Sequence, residues 1–276
     1  MLSIEDLHAN RLEGWRQTPH TRIQSPQEAG VLIEQVGIAT LYPVSSEVPN
    51  LFQAYMGDSE AKTDSEWDSP SGEVYSWRWY LGRQETAFYT AIVRSRPTWV
   101  RWDLLPALLR LRGELRSLEE LYAAGELSRD AIRIGEALQA AGTALSTGEL
   151  RRQAGFPTGK AERAAYLKAV EELDTRLLLA KVFSKNDEEM YHALVFARYP
   201  QHVQAAERMT RKQALVQLLM AYLPHARYAL PALLAKHLKL PEAELHAGLD
   251  HLVQRGCAAA ISLPESRSAC YVWNED

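Results

Sequence analysis

The chain has 276 residues, 46% of them hydrophobic and 24% charged, which is typical of a globular protein long enough for two or three small domains. Its formal net charge of −4 excludes attraction of nucleic acid by overall charge, so nucleic-acid binding would need a local basic surface. No segment approaches the roughly 20 apolar residues of a membrane span, and the N-terminal sequence lacks the apolar core of a signal peptide. We therefore expect a cytoplasmic protein without a membrane partner.

The first predicted helix starts at Ser25, a capping residue, with Pro26 at its first position, and it ends at Gly37. Its apolar face consists of Ala29, Leu32, Ile33 and Val36. Residues 38–44 are predicted to be a short strand or extended segment, and residues 48–57 a short helix. The acidic, turn-rich residues 58–73 lack periodicity and are predicted to form an exposed loop.

The aromatic and basic stretch 74–96 is predicted to be helical in its later part, because Phe88, Ile92 and Val93 fall on one face. Pro97 is predicted to end this helix, since the residue before a proline avoids the helical conformation. The following segment, "TWVRW", alternates like a strand.

That alternation predicts different solvent exposure for the two tryptophans of the segment. Trp99 would lie beside Arg101 on the side nearer to solvent, while Val100 and Trp102 would face the core. Asp103 can cap the next helix, and two further helices, each closed by glycine, are predicted within residues 117–142.

Two later stretches, 144–183 and 228–273, share the order helix, turn, helix and strand, and the second adds a tight loop and another strand. This is the order of a winged helix. We therefore predict a mainly α fold with short β-hairpins (α+β), built from tandem winged-helix-like domains. The predicted domains are residues 1–116, which include the acidic loop 58–73, a middle domain at 117–200 and a C-terminal domain at 201–276.

The middle domain contains the better candidate for a DNA-recognition helix, at residues 159–175. Tyr166, Leu167, Val170 and Leu173 are predicted to be its core face. The opposite face begins with Lys160, Ala161, Ala164, Ala165 and Lys168. Small alanines would allow close approach to DNA, and the lysines could neutralise phosphates. Lys181 and Lys185 would lie on a wing strand. The competing interpretation is an ordinary solvated helix face.

The predicted nucleic-acid contacts form two groups. Residues 149–185 contain eight basic against five acidic residues, and residues 78–116 contain eight against three. The phosphate contacts are Arg151, Arg152, Lys160, Arg163 and Lys168 in the middle domain, with Arg94, Arg96 and Arg101 on a second surface. Trp99 is the candidate for stacking on a base.

The C-terminal domain is a poorer candidate for DNA recognition, because the carboxylates of Glu242, Glu244 and Asp250 would repel phosphate. We predict that it serves packing or homodimerisation. His246 and His251 do not share a helix face, so no metal site is expected there. In the predicted final hairpin, turning at "PESR", Cys270 lies opposite Ile261 rather than Cys257, so no disulfide is expected.

Motifs of common chemistry are missing from the sequence. It contains no HExxH, CxxC or GxSxG, and "GFPTGK" lacks the spacing of a phosphate-binding loop. No cofactor is therefore expected.

Two segments carry a resemblance to a known family: "EAGVLIEQVGIATLYPVSSEVPNLFQA" and "AFYTAIVRSRPTWVRWDLLPAL". They resemble the AlkZ-type (YcaQ-like) DNA glycosylases and the shorter AlkZ-related proteins. The resemblance implies tandem winged helices and, for the glycosylases, excision of alkylated or crosslinked bases.

The resemblance also implies a catalytic triplet of Gln, an apolar residue and Gln or Asp, which matches Gln35-Val36-Gly37 here. Gln35 is then the one candidate catalytic residue. Glycine at the third position cannot orient or activate a water molecule.

Three hypotheses remain open from the sequence. The first is a non-catalytic protein that binds duplex DNA in repair or regulation. The second is an active DNA glycosylase that depends on Gln35, and the third is a protein-interaction scaffold, which the net negative charge favours.

Overall fold

The structure is a computed structural model that describes residues 3–156, 158–186, 188–262 and 269–274. The described chain is mostly helical and contains three-stranded antiparallel sheets. The helices are α1 (Ile4–Gly14), α2 (Pro26–Val36), α3 (Leu51–Met56), α4 (Pro70–Arg83), α5 (Leu105–Arg112), α6 (Leu118–Ala123), α7 (Arg129–Ala141), α8 (Thr147–Gln153), α9 (Lys160–Thr175), α10 (Val195–Arg198), α11 (Pro200–Arg208), α12 (Arg211–Ala226), α13 (Pro231–Leu238) and α14 (Glu242–Gln254). The strands are β1 (Ile38–Thr40), β2 (Phe88–Val93), β3 (Arg96–Val100), β4 (Leu145–Ser146), β5 (Leu179–Phe183), β6 (Met190–Leu194), β7 (Tyr228–Ala229), β8 (Ala258–Ser262) and β9 (Ala269–Trp273).

One order of elements, helix, strand, helix, helix, strand and strand, recurs along the chain. We call α2 to β3 the first unit, without the acidic loop between α3 and α4, α7 to β6 the second unit, and α12 to β9 the third unit. In each sheet the last strand lies between the other two, in the orders β1-β3-β2, β4-β6-β5 and β7-β9-β8. The predicted α+β fold with short hairpins is confirmed.

Local capping signals explain where several helices begin and end. The side chain of Ser25 accepts a hydrogen bond from the Glu28 amide at the start of α2, and Gly37 closes that helix with a φ of 78°. Ser146 and Glu149 form a reciprocal capping box at the start of α8. These interactions join residues at most four positions apart, so sequence patterns identify them.

The helix predicted over the later part of 74–96 is wrong. The helix in this region is α4, which starts at Pro70, where the side chain of Ser69 accepts from the Gly72 amide. Because α4 starts there, the exposed loop is shorter than the predicted 58–73. Phe88–Val93 is strand β2, and nearly all of its residues are buried. A strand that is covered on both faces lacks the polar alternation that identifies half-exposed strands.

Pro97 does not end a helix but lies inside β3. The turn before it contains Arg94 and Ser95, both with positive φ, of 50° and 58°. These values are typical of the tight turns that join antiparallel strands. The Leu41 amide donates to the carbonyl oxygen of Pro97 at 2.9 Å, which ties the loop after β1 to β3.

The predicted environments of the two tryptophans are reversed. Trp99 is fully buried, and its ring stacks on Phe183 of the second unit with centroids 6.0 Å apart. Trp102 is half-buried and lies in a short 3-10 helix, where its indole N–H donates to the Glu85 carbonyl at 2.6 Å. The strand ends at Val100, so the alternation does not extend to Trp102.

The apolar core is shared unevenly among the units. The second unit and α6 form a separate core that extends from Leu118 to Leu194. The first and third units contribute to one continuous core, in which α5 packs against α12.

In the last hairpin Cys270 pairs with Ile261, as predicted, and both cysteines are free thiols. The predicted turn at "PESR" lies outside the described residues. No helix in the described part of the chain is long and apolar enough to cross a membrane.

Candidate nucleic-acid interface

Helix α9 presents one buried and one exposed face. Tyr166, Ala169 and Leu173 are buried, and burial raises the pKa of Tyr166 to about 12. The prediction that Leu167 belongs to the core is wrong, because 53% of this residue is exposed. Ala169 takes its place, and the buried stripe is therefore rotated away from Leu167 toward the second unit's own core.

The exposed face of α9 is basic in its first half. Lys160, Arg163 and Lys168 are exposed, and Leu167 lies among them on the helical projection. None of the three cations forms an ion pair with another described residue. Their charges therefore remain available to an anion from solvent.

Helix α8 places two arginines beside this face. Arg152 is exposed in the last turn, while Arg151 is half-buried and its guanidinium lies 5.7 Å from the ring centre of Tyr166. The packing of Arg151 on Tyr166 connects α8 with α9. Arg152 is therefore an exposed cation on the helix before α9, whereas Arg151 packs on a residue of the buried face of α9.

The wing strand of the second unit does not offer both predicted lysines. Lys181 is mostly buried and pairs with Asp174 at 2.9 Å, whereas Lys185 is exposed. Strand β5 itself packs against the first unit through Phe183, which contacts the rings of Trp79 and Tyr89. The prediction that Lys181 lies on a free DNA-binding wing strand is therefore wrong.

The second predicted surface is divided between the two ends of β3. Arg94 and Arg96 are exposed at the hairpin turn, where Arg94 donates to the Val44 carbonyl at 3.0 Å. Arg101 lies beyond the other end of the strand. Its guanidinium donates twice to Asp103, at 2.6 and 2.9 Å, and once to the Glu34 carbonyl at 2.7 Å.

The pKa of Arg101 is raised above its usual value, chiefly by the hydrogen bonds to Asp103. Arg101 is thus engaged in holding the end of α2, and the two groups do not form one surface.

Gln35 lies exposed in the last turn of α2, beside a shallow pocket of about 400 Å³. Its side-chain oxygen accepts a hydrogen bond from Arg16 at 3.3 Å. Arg16 is separated by 19 positions from Gln35, so no spacing in the sequence could have identified this contact. Gly37, with its positive φ, leaves no room for a larger residue, since a Cβ would be 2.7 Å from a methyl group of Leu104.

The last helices before the hairpins, α4, α9 and α14, hold equivalent places in the three units. The end of β5 and the residue after it cover α4: the Phe183 ring fills the space beside Gly82, and Arg83 donates to the Ser184 carbonyl at 3.1 Å. On α14, Glu244 pairs with Arg211 at 2.9 Å, as part of an acidic surface. Among these three helices, α9 alone presents an exposed basic face.

Trp99, the predicted base-stacking residue, is not at a surface, because Phe183 and Tyr89 cover its ring. On α14, the His246 ring lies 3.6 Å from the carboxylate of Glu242. Among the described residues there is no group of three or more metal-binding side chains.

These features define a class of protein: three units with the same helix and strand order, of which the middle one exposes a basic helix. A family model described as "AlkZ related" matches residues 23–239, so the chain belongs to the AlkZ-related family and the resemblance noted from two short segments is confirmed. Among solved structures the chain is similar to the Streptomyces sahachiroi DNA glycosylase AlkZ, with a TM-score of 0.55 and 15% identity over 96% of this chain and 69% of that one. This likeness concerns the fold. No curated protein matches the chain.

Proposed function

We propose that this protein is a non-catalytic DNA-binding protein of the cytoplasm that acts in DNA repair or regulation and binds duplex DNA through α9. The observation that carries the proposal is the contrast among the three equivalent helices. Helix α4 is covered by the second unit, α14 is acidic, and α9 is exposed and basic. The order of elements in each unit, with a sheet whose last strand is central, supports its interpretation as a winged helix.

The chemistry of α9 suits contact with a DNA backbone. A recognition helix contacts the major groove with its N-terminal part, and here that part contains Lys160 and Arg163. Ala161 and Ala164 add little bulk on the exposed side, which permits a close approach. Lys168 would neutralise a phosphate one to two turns further along the helix. Arg151 and Arg152 would extend the contact from α8.

The relation to a DNA glycosylase supports DNA as the partner, because the S. sahachiroi protein with the same fold acts on DNA by its name. Catalysis is a separate question. Gly37 occupies the third place of the expected catalytic triplet and has a positive φ that L side chains rarely adopt. Gln35 is therefore left without the second polar partner that the resemblance implies, which supports a protein without base excision.

A salt titration of binding to a short duplex tests the proposal. We expect the logarithm of the association constant to fall linearly with the logarithm of salt concentration. Lys168→Gln should reduce the slope by about 0.9 and weaken binding roughly eightfold at 0.1 M salt. Lys62→Gln, which removes the same charge from the exposed acidic loop, is the matched control. If no salt-dependent binding occurs at about 50 mM salt, the DNA hypothesis fails and the scaffold hypothesis replaces it.

A base-release assay separates the non-catalytic protein from the glycosylase alternative. Duplexes that carry alkylated or crosslinked bases are incubated with the wild type and with Gln35→Ala. We expect no release by either protein. Release by the wild type that disappears in Gln35→Ala would establish the glycosylase alternative instead.

We also propose that the third unit can form a homodimer. Strand β8 lies at the edge of its sheet, and its residues Ala260 to Ser262 are exposed. An exposed edge strand offers unpaired backbone groups to a second copy. Light scattering should then give twice the mass of 31.1 kDa, and Ile261→Lys should return the protein to a monomer. A monomer in the wild type contradicts this part of the proposal.

A further inference from the structure

Cations from three separate elements meet near the C-terminal end of α13. The hairpin turn of the first unit contributes two of them, the end of α5 one, and the end of α13 two. We call this group the hairpin–α13 patch; its members are Arg94, Arg96, Arg112, Lys236 and Lys239.

Direct contacts bring these elements together. Helix α13 packs against β2, the strand that leads into the hairpin turn. At the other side of the patch, Arg112 donates a hydrogen bond to the carbonyl oxygen of Leu238, the last residue of α13. Arg94 is held at the turn by its hydrogen bond to Val44. Arg94 and Arg112 are therefore held by backbone carbonyls on two sides of the patch.

His237 follows Lys236 in the last turn of α13 and lies within range of the charge of Arg94 on the hairpin turn. Its pKa is lowered, first by burial and then by the charges of Arg94 and Lys236. The imidazole is 7% exposed, and its Nδ1 atom is buried without a hydrogen-bond partner among the described residues. A buried polar atom without a partner is uncommon in a folded protein and indicates an unfilled contact.

The patch has no internal charge compensation. None of its five cations forms an ion pair with a carboxylate in the described ranges. Other arginines behave differently: Arg101 pairs with Asp103 and Arg211 with Glu244. Like charges that repel one another and remain unpaired favour an external anion.

We propose that the hairpin–α13 patch binds phosphates of the DNA backbone, so that the third unit contacts DNA through α13 rather than through the acidic α14. This inference rests on the proposed function and adds a second contact surface to it. A guanidinium group can donate two parallel hydrogen bonds to phosphate oxygens, and lysines act as point charges. Arg94 and Lys236, whose charges act on His237, and the exposed Arg96 would position the duplex without reading its sequence.

The test compares variants in the same salt titration. Lys236→Gln and Arg96→Gln should each reduce the salt slope by about 0.9 and weaken duplex binding roughly eightfold at 0.1 M salt. Lys62→Gln is again the matched control, with no expected change. Both substituted side chains are exposed, and circular dichroism melting confirms that each variant remains folded.

The outcomes separate this inference from the proposed function. If Lys168→Gln weakens binding while Lys236→Gln and Arg96→Gln behave like the control, the patch does not contact DNA although α9 does. If the wild type does not bind the duplex, the proposed function fails. Binding of polyglutamate that Lys236→Gln weakens, with duplex binding unchanged, would overturn the inference in favour of an acidic protein partner.

Discussion

The guanidinium of Arg11 is buried where α1, the loop before α3 and the third unit meet. It donates to the carbonyl oxygens of Ala226, at 2.7 Å, and of Tyr228, and to the carboxylate of Glu47, at 3.2 and 3.5 Å. Both partners of the ion pair are almost completely buried, with side chains 1% and 3% exposed. Because Arg11 contacts the end of α12 and β7, it fastens the N-terminal helix to the third unit.

Replacement of Arg11 by methionine is expected to lower the free energy of unfolding by about 3–5 kcal/mol. Removal of one partner of a buried ion pair typically has this effect, because the remaining charge stays buried without compensation. Here the Glu47 carboxylate would keep the hydrogen bonds from the hydroxyls of Tyr222, at 3.3 Å, and Ser46, at 3.5 Å, but would lose the cation that neutralises it. Methionine preserves much of the side-chain volume, so that the loss reports on charge rather than on a cavity.

Urea unfolding followed by tryptophan fluorescence measures this loss, and Trp15 beside Arg11 serves as a local probe. Arg22→Met, at an exposed arginine, is the matched control and should change stability by less than about 0.5 kcal/mol. The double variant Arg11→Met, Glu47→Leu should lose much less than the sum of its two single variants, since neither charge remains. If Arg11→Met costs less than about 1 kcal/mol, the argument that this pair joins the units is refuted.

Three further predictions concern single buried or strained positions. Burial lowers the pKa of His192 to about 4, so below about pH 6.5 the unfolded chain binds a proton at this residue that the folded protein does not bind. The free energy of unfolding should therefore fall by roughly 3 kcal/mol between pH 7 and pH 4. Urea unfolding of His192→Gln should show a smaller decrease over the same pH range. Burial raises the pKa of the Cys270 thiol to about 11, so iodoacetamide at pH 8 should modify Cys257 well before Cys270, and equal rates would contradict the buried position. Gly37→Ala should lower the melting temperature more than Gly125→Ala, because both glycines have a positive φ but only Gly37 has a side chain within 3 Å of the added Cβ; equal losses would remove the steric part of this argument.

Helix starts could be predicted from the sequence because their signals are local. Ser25, Ser146 and the glycine at position 37 act through hydrogen bonds or backbone angles within a single turn. The last hairpin is a second success, since the register that follows from a turn predicted at "PESR" pairs Cys270 with Ile261. In these cases the residues that determine the structure lie beside each other in the chain.

Strand β2 could not be recognised because its pattern fits two structures. Phe88 and Ile92 are four positions apart, which places them on one face of a helix and also on one face of a strand. The first and second units cover both faces of β2, and the polar residues that would have distinguished a strand are therefore missing. The hairpin turn has a positive φ at Arg94 and Ser95. Arginine and serine usually avoid this conformation, so the sequence does not indicate a turn here.

Two errors in the candidate site have a common cause, which is contact between residues of different helices and strands. Trp99 is buried because Phe183, more than 80 positions later, lies on it, and Lys181 is engaged because Asp174 faces it. The error at Leu167 has a different, local cause: this residue lies at the boundary of the buried face of α9, and the helical period alone placed it on the buried side. Charge patterns identified the basic half of α9 correctly as exposed, because unpaired lysines and arginines seldom become buried.

A single salt titration can decide whether one or both basic surfaces contact the same duplex. The second unit offers the five proposed contacts Arg151, Arg152, Lys160, Arg163 and Lys168, while the hairpin–α13 patch offers five further cations. Since each neutralised phosphate contributes about −0.9 to the salt slope, the second unit alone predicts a slope of about −4.5. Engagement of both surfaces predicts a value that approaches about −9. A wild-type slope of about −4.5 or shallower that Lys236→Gln leaves unchanged would restrict binding to the second unit. A steeper slope that this variant reduces requires the first and third units to contact DNA as well.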